Sequence, residues 1–296
     1  MGELKEEIHV AIREVKETFS IKGYMDGKES EYLHLINIVL REVPSGSKVG
    51  CGPCDLTAIL ARLGYIMVGV DDLRNPWHLI GDNIRRIKDF AKELGITLII
   101  EPIEKVQLNQ NSFDAVLMVD ILEHHLTPRN LFNRALSLLK PNGLLLIETP
   151  NAAMLAKRLL LLLGKSNYQD VNFLFYNVGT YRYHVREYTV QEVNKVLRLI
   201  GLNHVKVETS NHGIHEIVMK ARGFKRFIAR MYHLLSNIYP SFRSTIIAYG
   251  RKPEDWKPIT ELEAFKSLKN VYPHLVKYNL NGESDEETVE RLSKGG

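Results

Sequence analysis

VGCGPCDLTAILARLGYIMVGVDD, residues 49 to 72, decides the fold. Its first residues hold a glycine turn, Gly50 and Gly52. DLTAILARLG (55–64) follows as an apolar helix stopped by Gly64, a C-cap residue. YIMVGVDD (65–72) is a buried strand closing on two carboxylates. Immediately upstream, Lys48-Val49 supplies a very short strand. Strand, glycine turn, helix and strand form the opening unit of a parallel sheet. Glycines at such a turn let the backbone approach a ligand, and the helix start offers free N–H groups to an anion. The same residues spell Cys51-Gly-Pro-Cys54, a pair that serves thiol–disulfide exchange when its first thiolate is stabilised at a helix start. Local structure does not separate the two chemistries.

The flanking sequence extends the pattern. Residues 1–43 read as helical, with a broad apolar stripe in EYLHLINIVLREV (31–43) ended by Pro44-Ser-Gly46. Downstream, one helix is expected through WHLIGDNIRRIKDFAKELG (77–95), then the strand ITLII (96–100). SFDAVLMVDILEHH (112–125) is a strand running into a polar loop. TPRNLFNRALSLLKPNG (127–143) carries Thr127 as N-cap, Pro128 at the first helical position and Pro141-Asn-Gly143 as terminator. LLLIETPN (144–151) is a further continuous apolar strand. Strands without polar alternation, separated by helices, mean a parallel sheet covered on both faces.

Past residue 151 the pattern loosens. Residues 152–188 are expected to form a lid over an acceptor, with Tyr168, Phe173, Phe175, Tyr176, Tyr181 and Tyr183 facing it. Thr189 and Glu192 make a capping box for the helix 189–201. HVKVETS (204–210) and STIIAYGRK (244–252) read as strands around a basic helix, 224–239. The division is a helical N-terminal cap (1–43), a main domain (44–252) and a charged helical tail (253–296).

Composition bounds the partners. Lys and Arg number 39 against 35 Asp and Glu, a net charge of +4, so no nucleic-acid partner is expected. No run reaches the roughly 18 apolar residues of a membrane helix, and the charged N-terminus lacks a signal-peptide core, which points to the cytoplasm. The richest run, AAMLAKRLLLLLG (152–164), is interrupted by Lys157 and Arg158. It is read as a helix covering the sheet rather than resting on a membrane surface. Two cysteines exclude a disulfide scaffold.

The thiol reading finds little support: no Trp precedes Cys51, and Pro76 and Pro102 are poorly placed to face the cysteines. A small apolar residue fitting a tight loop is the plain alternative. The dinucleotide fingerprint Gly-x-Gly-x-x-Gly also fails, because Asp55 takes its third glycine. Asp71 ends its strand about 20 residues after the glycine loop, where a carboxylate can accept both ribose hydroxyls. Asp72 is the neighbouring candidate, and a turn-forming role is the plain reading of both.

Three ordered blocks, 49–72, 111–151 and 184–202, carry a family likeness. The middle block is the most specific, with Phe113-Asp114, Leu122-Glu123-His124 and Leu139-Lys140-Pro141-Asn-Gly143. The chain from about residue 30 to 210 resembles class I S-adenosylmethionine (SAM)-dependent methyltransferases, in the small-molecule branch that includes the ubiquinone O-methyltransferases. The resemblance implies an α/β, Rossmann-like seven-stranded mixed sheet of order 3-2-1-4-5-7-6, strand 7 antiparallel, with helices on both faces. It implies that Gly50, Cys51 and Gly52 face the methionine part of SAM, that Asp71 holds the ribose with Asp72 beside it, that Ile103 meets the adenine, and that Asp120 and Ile121 close over the cofactor. It also implies that the loops holding His124 and His184, the two general-base candidates, face the pocket. Glu123-His124 alone offers too few ligands for a metal, so none is expected. A small-molecule acceptor, methylated on a hydroxyl, is the expected partner.

The family pattern is broken in places. The first strand is short, and Lys48 falls where the family has an acid that meets the methionine amino group. Cys54 replaces the last loop glycine, and Pro102 stands where an acid often lies near the adenine, with Glu101 and Glu104 as substitutes. These departures keep two other readings in view: a degenerate SAM-fold protein acting as a partner or scaffold, and a thiol oxidoreductase using Cys51 and Cys54. The oligomeric state is open.

Overall fold

The computed structural model describes residues 2–19, 25–177, 183–212, 218, 221–273 and 284–294. The chain divides into two compact units, residues 1–256 and 257–296. In the first unit the strands are β1 (Lys48–Cys51), β2 (Ile66–Val70), β3 (Thr97–Ile99), β4 (Phe113–Val119), β5 (Leu139–Pro150), β6 (Asn203–Ser210) and β7 (Thr245–Arg251). Its helices are α1 (Gly2–Thr18), α2 (Glu29–Glu42), α3 (Asp55–Arg62), α4 (Pro76–Leu79), α5 (Asn83–Glu93), α6 (Pro128–Leu138), α7 (Leu155–Leu162), α8 (Val171–Phe175), α9 (Val190–Leu199) and α10 (Gly223–Ser236). The second unit contributes α11 (Glu261–Val271) and α12 (Asp285–Ser293), each opened by a capping box, Thr260 with Glu263 and Ser284 with Glu287.

The seven strands form one sheet in the order β3-β2-β1-β4-β5-β7-β6, the order expected. β1 to β5 run parallel, and β7 is antiparallel to both β5 and β6. A strand covered on both faces has no polar side, which is why Leu144, Leu145, Leu146 and Ile147 of β5 are all buried. α1 and α2 join this core: Ile8, Ile12, Val15, Leu35 and Val39 bury against the cluster that holds Val49 and Ile59.

Several local expectations are corrected. β1 runs on to Cys51, so Gly50 and Cys51 are strand residues paired with Val68 and Gly69 rather than turn residues. The helix expected over 77–95 is two, α4 and α5, broken at Gly81, whose φ of +56° an α-helix does not accommodate. Thr127 occupies the N-cap position of α6 but accepts no side-chain capping bond. Its neighbour Pro128, at the start of the helix, brings no N–H to be capped. The capping box of Thr189 and Glu192 forms as expected.

The largest correction concerns residues 152–176. α7 buries none of its residues, and Leu162 is 82% exposed, so it does not cover the sheet. Tyr168, Phe173, Phe175 and Tyr176 are exposed. Tyr183 packs on Phe173 with the rings tilted by 38° and their centroids 4.4 Å apart, and Tyr181 lies outside the described residues.

Candidate active site

The carboxyl ends of β1, β2 and β4 open into a cavity of about 580 Å³, a size that accepts a nucleoside-bearing ligand. Gly50, Cys51, Gly52, Asp71, Asp72, Ile103, Asp120 and Ile121 all line it, and so does His124. His184 does not, among the residues that form its wall. A second cleft of about 640 Å³ lies at the opposite strand ends, where Lys140 pairs with Asp114 and Arg251 with Glu42.

Close packing explains the glycine loop. A Cβ on Gly69 of β2 would stand 3.1 Å from the Gly52 carbonyl oxygen and 3.4 Å from that of Pro53. The strand therefore sits against the loop and holds its path. A Cβ on Gly52 itself would meet nothing, because this glycine borders open cavity. Asp71 is both turn former and wall: its Oδ1 accepts the Leu73 N–H at 2.6 Å, with Leu73 at φ +51°. Behind it His78 Nδ1 stands 3.7 Å away. Asp72 likewise accepts the Arg74 N–H at 3.1 Å.

Lys48 is not placed to repel a cofactor. It sits at the start of β1, its N–H donates to Asp114 and its ammonium lies 4.7 Å over the Phe113 ring. Glu31, Asp55 and Asp120 are acids that line the cavity. Lys28 and Tyr32 join them from the start of α2, Tyr32 donating to Asp55 at 2.7 Å and Lys28 pairing with it at 3.7 Å. Burial acts to lower the Lys28 pKa, but Asp55, Glu31, Asp120 and Glu148 outweigh it and hold the ammonium raised and charged. Asp120 is exposed toward the cavity, and desolvation by the surrounding walls raises its carboxyl against the pull of Lys28 and His124. Lys28, Glu31 and Tyr32 escape sequence reading because polar positions on an amphipathic helix are usually just its solvated face.

Beside the cavity is a buried polar cluster. Glu123 is fully buried; burial first, then Asp120, pushes its carboxyl up to about 8. Its Oε2 accepts from Thr149 at 2.9 Å, while Oε1 has no hydrogen-bond partner among the described residues. The Glu123 carbonyl accepts the N–H groups of Val185 and Arg186, which anchors the segment carrying His184. His184 Nε2 then lies 3.9 Å and His124 Nε2 4.0 Å from Glu123 Oε1, with the two rings edge-on at 5.0 Å. His124 Nδ1 is 3.1 Å from the Tyr183 carbonyl, which can only accept, so Nδ1 carries a proton and in the neutral ring the lone pair lies on Nε2. His184 Nδ1 meets Glu187 at 2.9 Å. Burial, with His124 and Lys157 nearby, pulls His184 down to about 4, so it is neutral at ordinary pH. Glu123, His124 and His184 bring three ligand atoms within 4.8 Å of one another, a donor set suited to a divalent cation, where the sequence offered only two neighbours.

Cys51 and Cys54 are both buried thiols. Burial pushes Cys51 up to about 12 in spite of the Thr57 hydroxyl nearby, so no reactive thiolate exists there near neutral pH.

Residues 47–147 match the methyltransferase-domain family. The chain is 30% identical over 121 residues to the ubiquinone biosynthesis O-methyltransferase of Haemophilus ducreyi, covering 38% of this chain and 48% of that protein. It is 31% identical over 109 residues to the protein of the same name from Colwellia psychrerythraea, covering 36% and 42%. The chain thus spans about half the length of the curated relatives it matches. Among solved structures, phosphoethanolamine N-methyltransferase 2 of Haemonchus contortus in complex with SAM is 16% identical, with a TM-score of 0.49 over 76% of this chain and 52% of that one. The sequence match falls on the half of the sheet that holds the cavity, and over these residues the chain is similar to the methyltransferase-domain family.

Proposed function

We propose that the chain transfers the methyl group of SAM to a hydroxyl of a small-molecule acceptor. The observation that carries this reading is convergence: the glycine loop, the strand-end carboxylates and one histidine meet in a single cavity. Gly50, Cys51 and Gly52 border the methionine part, and Lys28 pairs with its carboxylate. Asp71 accepts the ribose hydroxyls, with Asp72 beside it, and Ile103 packs on the adenine. Asp120 and Ile121 close over the cofactor. When bound, SAM supplies an activated methyl whose C–S bond breaks as the C–O bond forms, leaving a neutral thioether. The protein's task is then mainly to align the acceptor, and the hydroxyl proton passes to His124 Nε2. His184, neutral and edge-on to that ring, holds His124 in place.

The orphaned Glu123 Oε1 favours a second reading of the same site. In it Glu123, His124 and His184 would hold a divalent cation, which would polarise the acceptor oxygen, with His124 Nε2 as a ligand in place of the base. The competing reading, a scaffold of the same fold, has no use for a cavity walled by Asp71, Asp120 and a charged Lys28. A thiol oxidoreductase is disfavoured by the buried, protonated Cys51.

The test is transfer of a labelled methyl from SAM to a panel of phenols and alcohols, with and without added Mg²⁺ or Zn²⁺. Turnover of a hydroxyl acceptor is expected, falling about 10²–10⁴-fold in His124→Ala, the usual worth of a general base. Bound SAM with no turnover of any hydroxyl would turn the reading toward another acceptor atom or a scaffold.

A further inference from the structure

α10 is amphipathic in the wrong sense for a core helix. Phe224, Phe227, Ile228, Met231, Leu234 and Leu235 recur at helical spacing along one stripe, and they are between 41% and 75% exposed. Its inward side holds Tyr232, His233 and the buried Ser236 instead. α7 lies beside it: Tyr232 accepts the Ala156 N–H at 2.9 Å, and the Arg158 guanidinium lies 5.1 Å over the ring of Phe242, just after α10. α7 adds its own exposed run, Leu159 to Leu163. Burying none of this apolar area is costly, and such patches mark a surface that meets something else.

Charge says what that is. Residues 152–168 and 221–243 together carry eight Lys and Arg and no carboxylate. Of these, Lys157 turns inward to pair with Glu187 and Arg243 turns toward Asn237 and the Thr209 carbonyl, while the other six are exposed beside the apolar faces. A second copy of the same surface would bring like charges together. An anionic lipid surface complements both features, apolar stripe into the acyl boundary and cations onto the headgroups. Among the described residues no helix is long and apolar enough to cross a membrane, and α10, at about 21 Å, suits lying flat. Placement agrees as well. α7 leaves the end of β5 and α10 leads into β7, where Pro150 pairs with Thr245, the same edge at which β4 delivers Asp120 to the cavity.

We infer that α7 and α10 form one interfacial surface that docks the protein on an anionic lipid bilayer, with the cavity edge toward the membrane. An acceptor with a lipid tail would reach the site from there; that extension alone rests on the methyl-transfer reading. Docking is read without activity. The full chain is sedimented with vesicles of phosphatidylcholine alone or of phosphatidylcholine and phosphatidylglycerol in equal parts. Expected is binding to the anionic vesicles, weak or absent on the neutral ones, and reduced by salt. Phe227→Asp with Leu234→Asp, both on the exposed stripe, should lower the bound fraction at least tenfold with an unchanged circular dichroism spectrum. Arg226→Glu with Arg230→Glu should act in the same direction. No binding to anionic vesicles at low salt, equal binding by all variants, or a concentration-dependent dimer that the stripe variants abolish would overturn it.

Discussion

His184 Nε2 lies 3.9 Å from Glu123 Oε1, a buried oxygen with no hydrogen bond. Their pKa values are displaced in opposite senses, Glu123 up to about 8 and His184 down to about 4. In the unfolded chain Glu123 releases its proton near pH 4 and His184 near pH 6.5. As pH rises from about 4 to 8, the unfolded state has lost the Glu123 proton while the folded state keeps it, so stability falls through that window. For His184 the loss comes instead as pH falls from about 6.5 to 4. Glu123→Gln removes only the first effect. The stability difference between Glu123→Gln and the native protein should therefore move in the variant's favour from pH 5 to pH 8, on the order of a few kcal/mol. Denaturant titration at several pH values measures it; a difference that does not change with pH contradicts the buried-acid assignment.

Neither cysteine should behave as a redox thiol. Cys51 is buried with its thiol raised to about 12, and Cys54 is 1% exposed. At pH 7.5 the folded protein should resist a disulfide-exchange reagent for hours, with both thiols reacting once guanidinium unfolds the chain. Rapid reaction of one thiol in the folded protein would reopen the oxidoreductase reading.

Gly69 tests how the loop is held. Ala at this position puts a methyl against Gly52, Pro53 and the Leu98 side chain, 3.2 Å away. Overpacking of this kind costs about 1–3 kcal/mol. Gly69→Ala should lower the melting temperature and also weaken SAM binding, because the displaced backbone is the cofactor loop. Lower stability with unchanged SAM affinity would separate the loop from the ligand.

The parts of the fold that were legible in the chain are those with local causes. VGVDD announces a strand that ends on carboxylates, and both Asp71 and Asp72 do face the cavity. Thr189 with Glu192 announces a helix start, and the capping box forms. What stayed hidden depends on distant packing. Glu123, His124 and His184 meet because the Glu123 carbonyl anchors Val185 and Arg186, a contact without any sequence period. Lys28 and Glu31 reach the cavity only because α2 is docked on the sheet by its apolar side. The leucine run after β5 shows the converse error: apolarity was read as burial, while the helix it forms buries none of its residues.

Calorimetric titration of the native protein and of Asp71→Ala with SAM tests the central claim most directly. The account predicts saturable binding near one site per chain, weakened about 10- to 100-fold in Asp71→Ala by the loss of charged hydrogen bonds to the ribose. No binding to the folded native protein up to millimolar SAM, or equal binding by Asp71→Ala, would contradict it.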